Sequence, residues 1–414
     1  MHARYSASRL VLCSLAILLL AAACAPSTSP DVPLGTAAPA APAPTVVATA
    51  APSPALTAVA PAPTAAASDR LVFASDRGGS STELYVVDVP PAGATPAGPL
   101  PARQLTSDGK NSFWPVVSPD SRWIAYVVED TDPAKMPPQR DIWLLSIDGQ
   151  KRFNLTQNPA SNIEPSWSPD GSQIAFASTR DGELSIWIQD VAPILAGQAP
   201  APRRLVAVGS NPVWSPDGTQ IAYLAAEDGG NFTQLYTIKP DGSGQRQLTA
   251  HSSDASGSGI LVPAWQPDGR WMLVPMYFGP NCQLVLLPVE GTTAPIPDKD
   301  LRVVTPGEEY AETPAWEADG RWVAFRAGRD PNASIALMDM QSGEVRRIAP
   351  QLSGMTPAWS PDGSRLAFAV QGPAPDYNVD IYITDRDGSN PLNVTNSLAF
   401  DINPAWVPPN QRPK

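Results

Sequence analysis

Histidine and cysteine are scarce in this chain of 414 residues, which has two of the first and three of the second. His2 is expected to leave with an N-terminal signal, and the one remaining histidine, His251, cannot build a histidine-rich catalytic zinc site. A serine–histidine–aspartate triad needs a histidine placed between a nucleophile and a carboxylate. Only His251 could serve, and no Gly-x-Ser-x-Gly elbow is present. Positive charge is also short: 28 Lys and Arg face 40 Asp and Glu, a net charge of −12 with no basic cluster. Such a chain repels nucleic acid and anionic headgroups, so nucleic-acid partners are excluded. The apolar run near the start, residues 11–23, has 13 residues. A membrane-spanning helix needs about 20.

That short run has a role of its own. Arg4 and Arg9 precede it and "LAAAC" closes it, giving a positive segment, an apolar segment and small residues. This is the layout of a secretory signal over residues 1–23. The closing segment resembles the lipobox of bacterial lipoproteins, with Ala21 where leucine is usual and Leu20 one place earlier. The resemblance implies that Cys24 is lipidated and becomes the mature N-terminus. Residues 25–68 are almost wholly Ala, Pro, Thr, Ser and Val, without charge between Asp31 and Asp69. That composition cannot bury enough apolar surface to fold, and its prolines favour extended polyproline II. Residues 24–68 therefore read as a lipidated cysteine and a semi-rigid tether. The expected location is extracytoplasmic, in the cell envelope. Cys13 leaves with the signal and Cys24 carries the anchor. Cys282 is then the one cysteine of the folded part, expected to be buried as a small apolar side chain.

From Asp69 onward the chain repeats. "Pro-x-Trp" recurs with its last position at Val117, Trp167, Trp214, Trp265, Trp316, Trp359 and Trp406, spaced 50, 47, 51, 51, 43 and 47 residues apart. After each of the first six come a turn and three short apolar segments, as in "QIAFAS", "DIYITDRDG" and "RQLT". Short β-branched and aromatic runs between turn residues are strands. Four per unit at this period is a β-propeller blade. Three segments precede the first "Pro-x-Trp" unit, and the last one, at 403–406, has none after it. The two ends are complementary, so the C-terminal strand should close the ring against the three strands that begin near Asp69. The reading is all-β: a closed propeller over residues 69–409 with seven four-stranded blades, or six with one degenerate unit, and a tail at 410–414. Removal of open sheet edges is what the closure achieves.

The stretches 164–178, 211–225 and 356–370 carry Pro-x-Trp-Ser-Pro-Asp-Gly-x-x-[Ile/Leu]-Ala-[Phe/Tyr]. They resemble TolB-like propellers, and the resemblance extends from residue 69 to about 409. It implies the propeller fold and an extracytoplasmic compartment. Elsewhere the motif drifts: Val117 and Ser121 replace Trp and Gly, Gln266 replaces Ser, and Ala318 replaces Pro.

The repeated aspartates need no chemistry. In Ser-Pro-Asp-Gly, proline sets φ for a type I turn, aspartate suits the next place, and glycine takes the left-handed position. Asp120, Asp170, Asp217, Asp268, Asp319 and Asp362 are thus turn residues. The tryptophans are expected to pack between sheets and to need one acceptor each for the indole N–H. Trp123, Trp271 and Trp322 are expected to be partly exposed, and His251, in a Gly/Ser-rich loop, to be solvated.

Function is sought where the repeat varies. The residues leading into each innermost strand should ring one mouth of the channel. Their polar members are Glu164, Asn211, Glu312, Thr313, Thr356, Asp401 and Asn403. Longer connections at 129–141, 192–202, 251–260, 288–300 and 371–380 add loops suited to partner contacts. The expectation is a monomeric, membrane-tethered binding or scaffold protein without catalytic residues, metal or cofactor, which engages a protein or an envelope glycan. The alternative is a glycan hydrolase or lyase working with two carboxylates, Glu164 and Glu312.

Overall fold

The computed structural model describes residues 69–408 except 92, 95–98, 131, 133–137, 200, 227–232, 252–258, 292–293, 330–332 and 373–376. The signal, Cys24, the tether and the tail lie outside the described residues. Seven four-stranded antiparallel sheets form the blades of one ring. Blade 1 combines the C-terminal innermost strand Asp401–Val407 with Asp69–Ser75, Glu83–Val89 and Ala102–Gln104. Arg70 pairs with Val407 and Ser75 with Asp401, which is the expected closure of the ring. The innermost strands of blades 2 to 7 are Asn111–Val117, Asn162–Trp167, Ser210–Trp214, Ala264–Trp265, Ala311–Trp316 and Gly354–Trp359. Seven blades replace the six-bladed alternative.

Each innermost strand runs from one face of the ring to the other, and the Ser-Pro-Asp-Gly hairpins turn on the face where it ends. We name this the hairpin face. The connections between second and third strands, and those from one blade to the next, lie on the opposite loop face. Both Asp69 and Val407 stand at the hairpin face, because Asp69 begins a second strand and Val407 ends an innermost one.

The hairpin chemistry follows the sequence. Ser168 Oγ donates to Asp170 (2.6 Å) and accepts from Gln173 N (2.9 Å), while Asp170 also accepts from Ser172 N (3.0 Å). Ser215/Asp217 and Ser360/Asp362 repeat this arrangement. The Ser168 and Ser172 hydrogen bonds hold the Asp170 carboxyl below the usual range. Gly171, Gly218 and Gly363 take φ near +70°. Ser121 adopts the same left-handed conformation without glycine's freedom (φ 61°). Where Glu317 stands in place of serine, its carboxyl is pushed up to about 7 by burial and by a hydrogen bond shared with Asp319. It is then clamped by Arg386 from the next blade.

Neighbouring blades are joined by the tryptophans. The indole N–H of Trp167 donates to Val116 O (3.0 Å), Trp265 to Val213 O (3.1 Å), and Trp316 to Ala264 O (3.0 Å). Trp359 donates to Ala315 O and Trp406 to Ala358 O, both at 3.0 Å. Every acceptor is the residue that follows the proline of the innermost strand in the preceding blade. Two joints depart. Val117 has no indole N–H to give to blade 1; there Thr82 N donates to Asn111 Oδ1 (3.1 Å) and Ser112 N to Thr82 O (2.6 Å). Trp214 is buried with its indole N–H unpartnered. Its backbone N–H bonds Ser166 Oγ (3.2 Å) instead, and Asn211 N bonds Glu164 Oε2 (2.6 Å) across the same joint.

A second repeated device lies at the outer strand. The Oγ1 of Thr106, Thr156, Thr249, Thr305 and Thr395 accepts from the backbone N–H of Leu84, Ile142, Leu235, Leu284 and Ile381, at 2.9 to 3.1 Å. Four of these hydroxyls also donate to a side chain of the third strand, in Glu83, Asp141, Gln234 or Asp380. The threonine of the "LT" segment is thus a clamp on an otherwise very short strand.

Trp123, Trp271 and Trp322 are partly exposed, and Cys282 is buried with Sγ 3.4 Å from Ala311 O, as expected. His251 departs from expectation, being 6% exposed rather than solvated. The long connection after Asn281–Pro288 folds back so that Ile296–Pro297 pairs in parallel with Thr249–Ala250. This covers His251 and sets Asp298 Oδ1 2.7 Å from its Nδ1.

Trp265 and Trp214 are equally buried, at 7% and 8% exposed, but only Trp265 has an indole acceptor. Trp265→Phe is therefore expected to lower stability by about 1 kcal/mol more than Trp214→Phe. Urea unfolding of the two variants measures the difference; equal losses would remove the indole bond as a source of ring stability.

Candidate channel site

The innermost strands share an irregularity. Trp114, Glu164, Asn211, Thr313, Thr356 and Asn403 all have φ between 48° and 59°, and each directly precedes a proline. Left-handed backbone is costly for side chains other than glycine, and a residue before proline is already sterically confined. At the same places the ladder with the second strand slips, as between Ile163 and Ser166, Glu312 and Ala315, and Met355 and Ala358. These are β-bulges, which bend a strand and re-aim its side chains. Strain of this kind persists only where the surroundings over-determine it, and it concentrates at functional sites.

Four of the six residues, Trp114, Thr313, Thr356 and Asn403, meet at a cavity of about 370 Å³. Trp114, Val262, Thr313, Thr356 and Asn403 line it, each followed by its proline, together with Val116. No charged side chain lines it. Thr356 Oγ1 and Asn403 Oδ1 are buried within its wall, without a hydrogen-bond partner in the protein and not exposed to the cavity. Phe113 meets the Trp114 ring edge to face, with centroids 4.7 Å apart, which holds the indole in place.

The seven residues expected at the mouth divide into three sets. Thr313, Thr356 and Asn403 meet in the cavity. Glu164 and Asn211 stitch blades 3 and 4. Enclosure by protein raises the Glu164 pKa above the ordinary carboxylate range, and the hydrogen bond from Asn211 N offsets that only in part. Glu312 and Asp401 are turned into their own blades. Arg326 holds Glu312 at 3.0 Å, and Arg77 holds Asp401 at 2.9 Å, with Ser397 Oγ donating to Asp401 as well (2.8 Å). Asn162 takes the equivalent place in blade 3, bonded by Arg180 (2.9 Å).

The polar-residue criterion passed over Trp114 and Val262. The signal that finds them is position, the residue before proline in each unit, whatever its chemistry. The arginines Arg77 and Arg180 were also missed, although "FASDR" and "FASTR" announce them. Each bonds a serine two residues earlier and lies over aromatic rings, Arg77 at 5.0 Å from Phe73 and Arg180 at 4.7 Å from Trp187. Among the described residues no group of three or more His, Cys, Asp or Glu side chains could hold a metal ion.

The raised Glu164 pKa has a stability consequence. A glutamate in the unfolded chain ionises near 4.5, whereas the folded chain keeps the proton to higher pH. Stability from this group is complete below that value and falls as pH rises through the folded pKa. Glu164→Gln keeps an acceptor for Asn211 N and removes the titration. The variant is expected to gain stability over the native chain at pH 8 but not at pH 4, read from urea midpoints at the two values; an equal difference at both would contradict the assignment.

Comparison with known proteins places this geometry. Residues 298–412 match the family described as the TolB beta propeller domain. The chain is 24% identical over 261 residues to the "Uncharacterized peptidase YuxL" of Bacillus subtilis, covering 62% of this chain and 29% of that protein. It is 30% identical over 95 residues to the Tol-Pal system protein TolB of Anaeromyxobacter dehalogenans, covering 23% of this chain and 21% of that protein. It thus spans less than a third of the length of these curated relatives. Among solved structures, TolB from Acinetobacter baumannii superposes with a TM-score of 0.51 at 18% identity, over 82% of this chain and 83% of that one. An oligogalacturonate lyase in complex with manganese superposes at 0.54 and 16%, over 73% and 82%. Those two likenesses concern fold. The motif and the family match over residues 298–412 make that part of the chain similar to the TolB propeller domain, and the ring as a whole is a seven-bladed β-propeller.

Proposed function

We propose that this chain is a tethered extracytoplasmic binding protein that docks a partner protein on its loop face. One observation carries the reading. Among the described residues, the exposed large hydrophobic side chains are Val208, Val262, Tyr377 and Leu398, and all four belong to loop-face connections. Tyr377 and Leu398 sit on neighbouring loops tied by Asn378 Nδ2 donating to Ser397 O (2.8 Å). Leu398 is 79% exposed, a solvation cost that a partner's apolar surface would remove. The tether at residues 24–68 joins the ring at Asp69 on the hairpin face, so lipidation at Cys24 would leave the loop face directed away from the anchor. The Tol-Pal system named for the TolB relatives supports a protein as the partner and the envelope as the setting. The alternative of hydrolysis or lysis by Glu164 and Glu312 has less support, since Arg326 occupies Glu312 and Glu164 is engaged by Asn211 N.

Crosslinking in intact cells tests the docking face. A partner captured by the native chain is expected to be lost with Leu398→Asp, at an unchanged melting temperature; the same partners on both would defeat the assignment. Cys24→Ala is expected to move the chain from the membrane fraction to the soluble one, and continued sedimentation with membranes would refute the anchor.

A further inference from the structure

Glu317 stands at the serine place of the blade 6 hairpin, and the turn around it is unchanged. Glu317 N donates to Trp322 O and Gly320 N to Glu317 O, both at 2.9 Å, as Ser168 N does to Gln173 O and Gly171 N to Ser168 O. In blades 2, 3, 4 and 7 the serine hydroxyl closes the turn by donating to the aspartate, at 2.6 to 2.7 Å. A carboxylate has no proton to give. Glu317 can make the equivalent bond to Asp319, which is within its reach, only in the neutral form.

The surroundings favour that form. Glu317 is 2% exposed. Its Oε1 accepts from Arg386 of blade 7, whose Nε donates to Gly363 O (3.0 Å). The same oxygen lies so close over Gly363 that a Cβ there would collide with it. Glu317 Oε2 is buried, and among the described residues no donor reaches it. Protonated, Oε2 donates to Asp319 and Oε1 still accepts from Arg386, so every oxygen of the carboxyl is used. Ionised, Glu317 sets a second negative charge beside Asp319 and leaves Oε2 enclosed without a partner. The other charges around it are engaged elsewhere. Arg321 pairs with Asp339 (2.8 Å), and Asp362 of the facing hairpin accepts from Ser360 Oγ (2.6 Å) and Ser364 N (3.0 Å). Blade 5 shows the permanently neutral version. Gln266 takes the serine place there, and its amide donates to Gly320 O of the next hairpin (3.4 Å).

We propose that a proton on Glu317 Oε2, shared with Asp319, latches the hairpin of blade 6 to that of blade 7, and that its loss at rising pH loosens this joint. Burial and the Asp319 carboxyl push Glu317 up to about 7, against 4.5 for an ordinary glutamate. The latch therefore gives its full stability below the lower value and loses it as pH rises through the upper one. It lies on the hairpin face, so it stands or falls apart from the docking surface of the loop face.

The test is a carboxyl NMR titration of the purified chain with ¹³C-labelled glutamate, in which Glu317→Gln identifies the resonance by its loss. A midpoint near 7 is expected. Asp319→Asn replaces the proton acceptor with an amide that can donate to an ionised Glu317, and the midpoint should fall by about one pH unit or more. Melting temperatures give the second measurement. Glu317→Gln carries a donor at every pH and should melt with the native chain at pH 5 and above it at pH 8. A Glu317 midpoint in the ordinary carboxylate range, a midpoint unmoved by Asp319→Asn, or the same melting difference at both pH values would each overturn the proposal.

Discussion

One hydrogen bond organises the ring: an indole N–H given to the backbone carbonyl that follows the innermost-strand proline of the preceding blade. It works because two requirements are met by the same residue. The indole fills the space between adjacent sheets, and its single donor finds a backbone carbonyl on the innermost strand of the preceding blade. A blade without its tryptophan must be attached otherwise. The two departures show how. At Val117 the attachment shifts to the loop face, where Ser112 N donates to Thr82 O and Thr82 N to Asn111 Oδ1. At Trp214 it shifts to Glu164 and Ser166, side chains of the preceding blade that reach backbone N–H groups. The strained, enclosed Glu164 is thus explained first as a joint.

The bulge has a second consequence. A regular innermost strand would alternate its side chains between channel and blade interior. By slipping the register at the residue before proline, blades 1, 2, 6 and 7 turn that residue toward the channel. This decides the fates of Thr313 and Glu312, adjacent in sequence. Thr313 lines the cavity, whereas Glu312 pairs with Arg326 inside the blade. The channel therefore presents a largely apolar, uncharged lining although acids crowd the strand entrances.

The blade count, the hairpins and the tryptophan role were legible because each rests on residues close in sequence: the turn spans four residues, and the ring closure follows from which segments each end lacks. The candidate site was legible only in position. Whether a mouth residue faces the channel depends on the bulge, and whether its charge is free depends on an arginine one strand away, fourteen residues on for Arg326. His251 was misplaced for a similar reason. Its cover comes from Ile296–Asp298 of the next blade, and nothing local to "TAHSSD" reveals that insertion folding back. The threonine clamps were visible as "LT" but read only as strand, since their partners lie a strand away.

The two faces of the ring differ in kind, and that difference bears on where recognition can reside. The hairpin face repeats one solution in blades 3, 4 and 7, serine and aspartate closing a turn around a left-handed glycine, and varies it in blades 2, 5 and 6. Their polar groups are spent on one another, as Asp170 is on Ser168 and Ser172. A surface built of near-identical, self-satisfied turns offers a partner little to distinguish one blade from the next. On the loop face the repeat dissolves. Connections vary in length, the exposed apolar side chains gather there, and the channel opens onto a tryptophan in one blade and a valine in another. Repetition builds the ring, and the positions where it fails are those at which the molecule can discriminate.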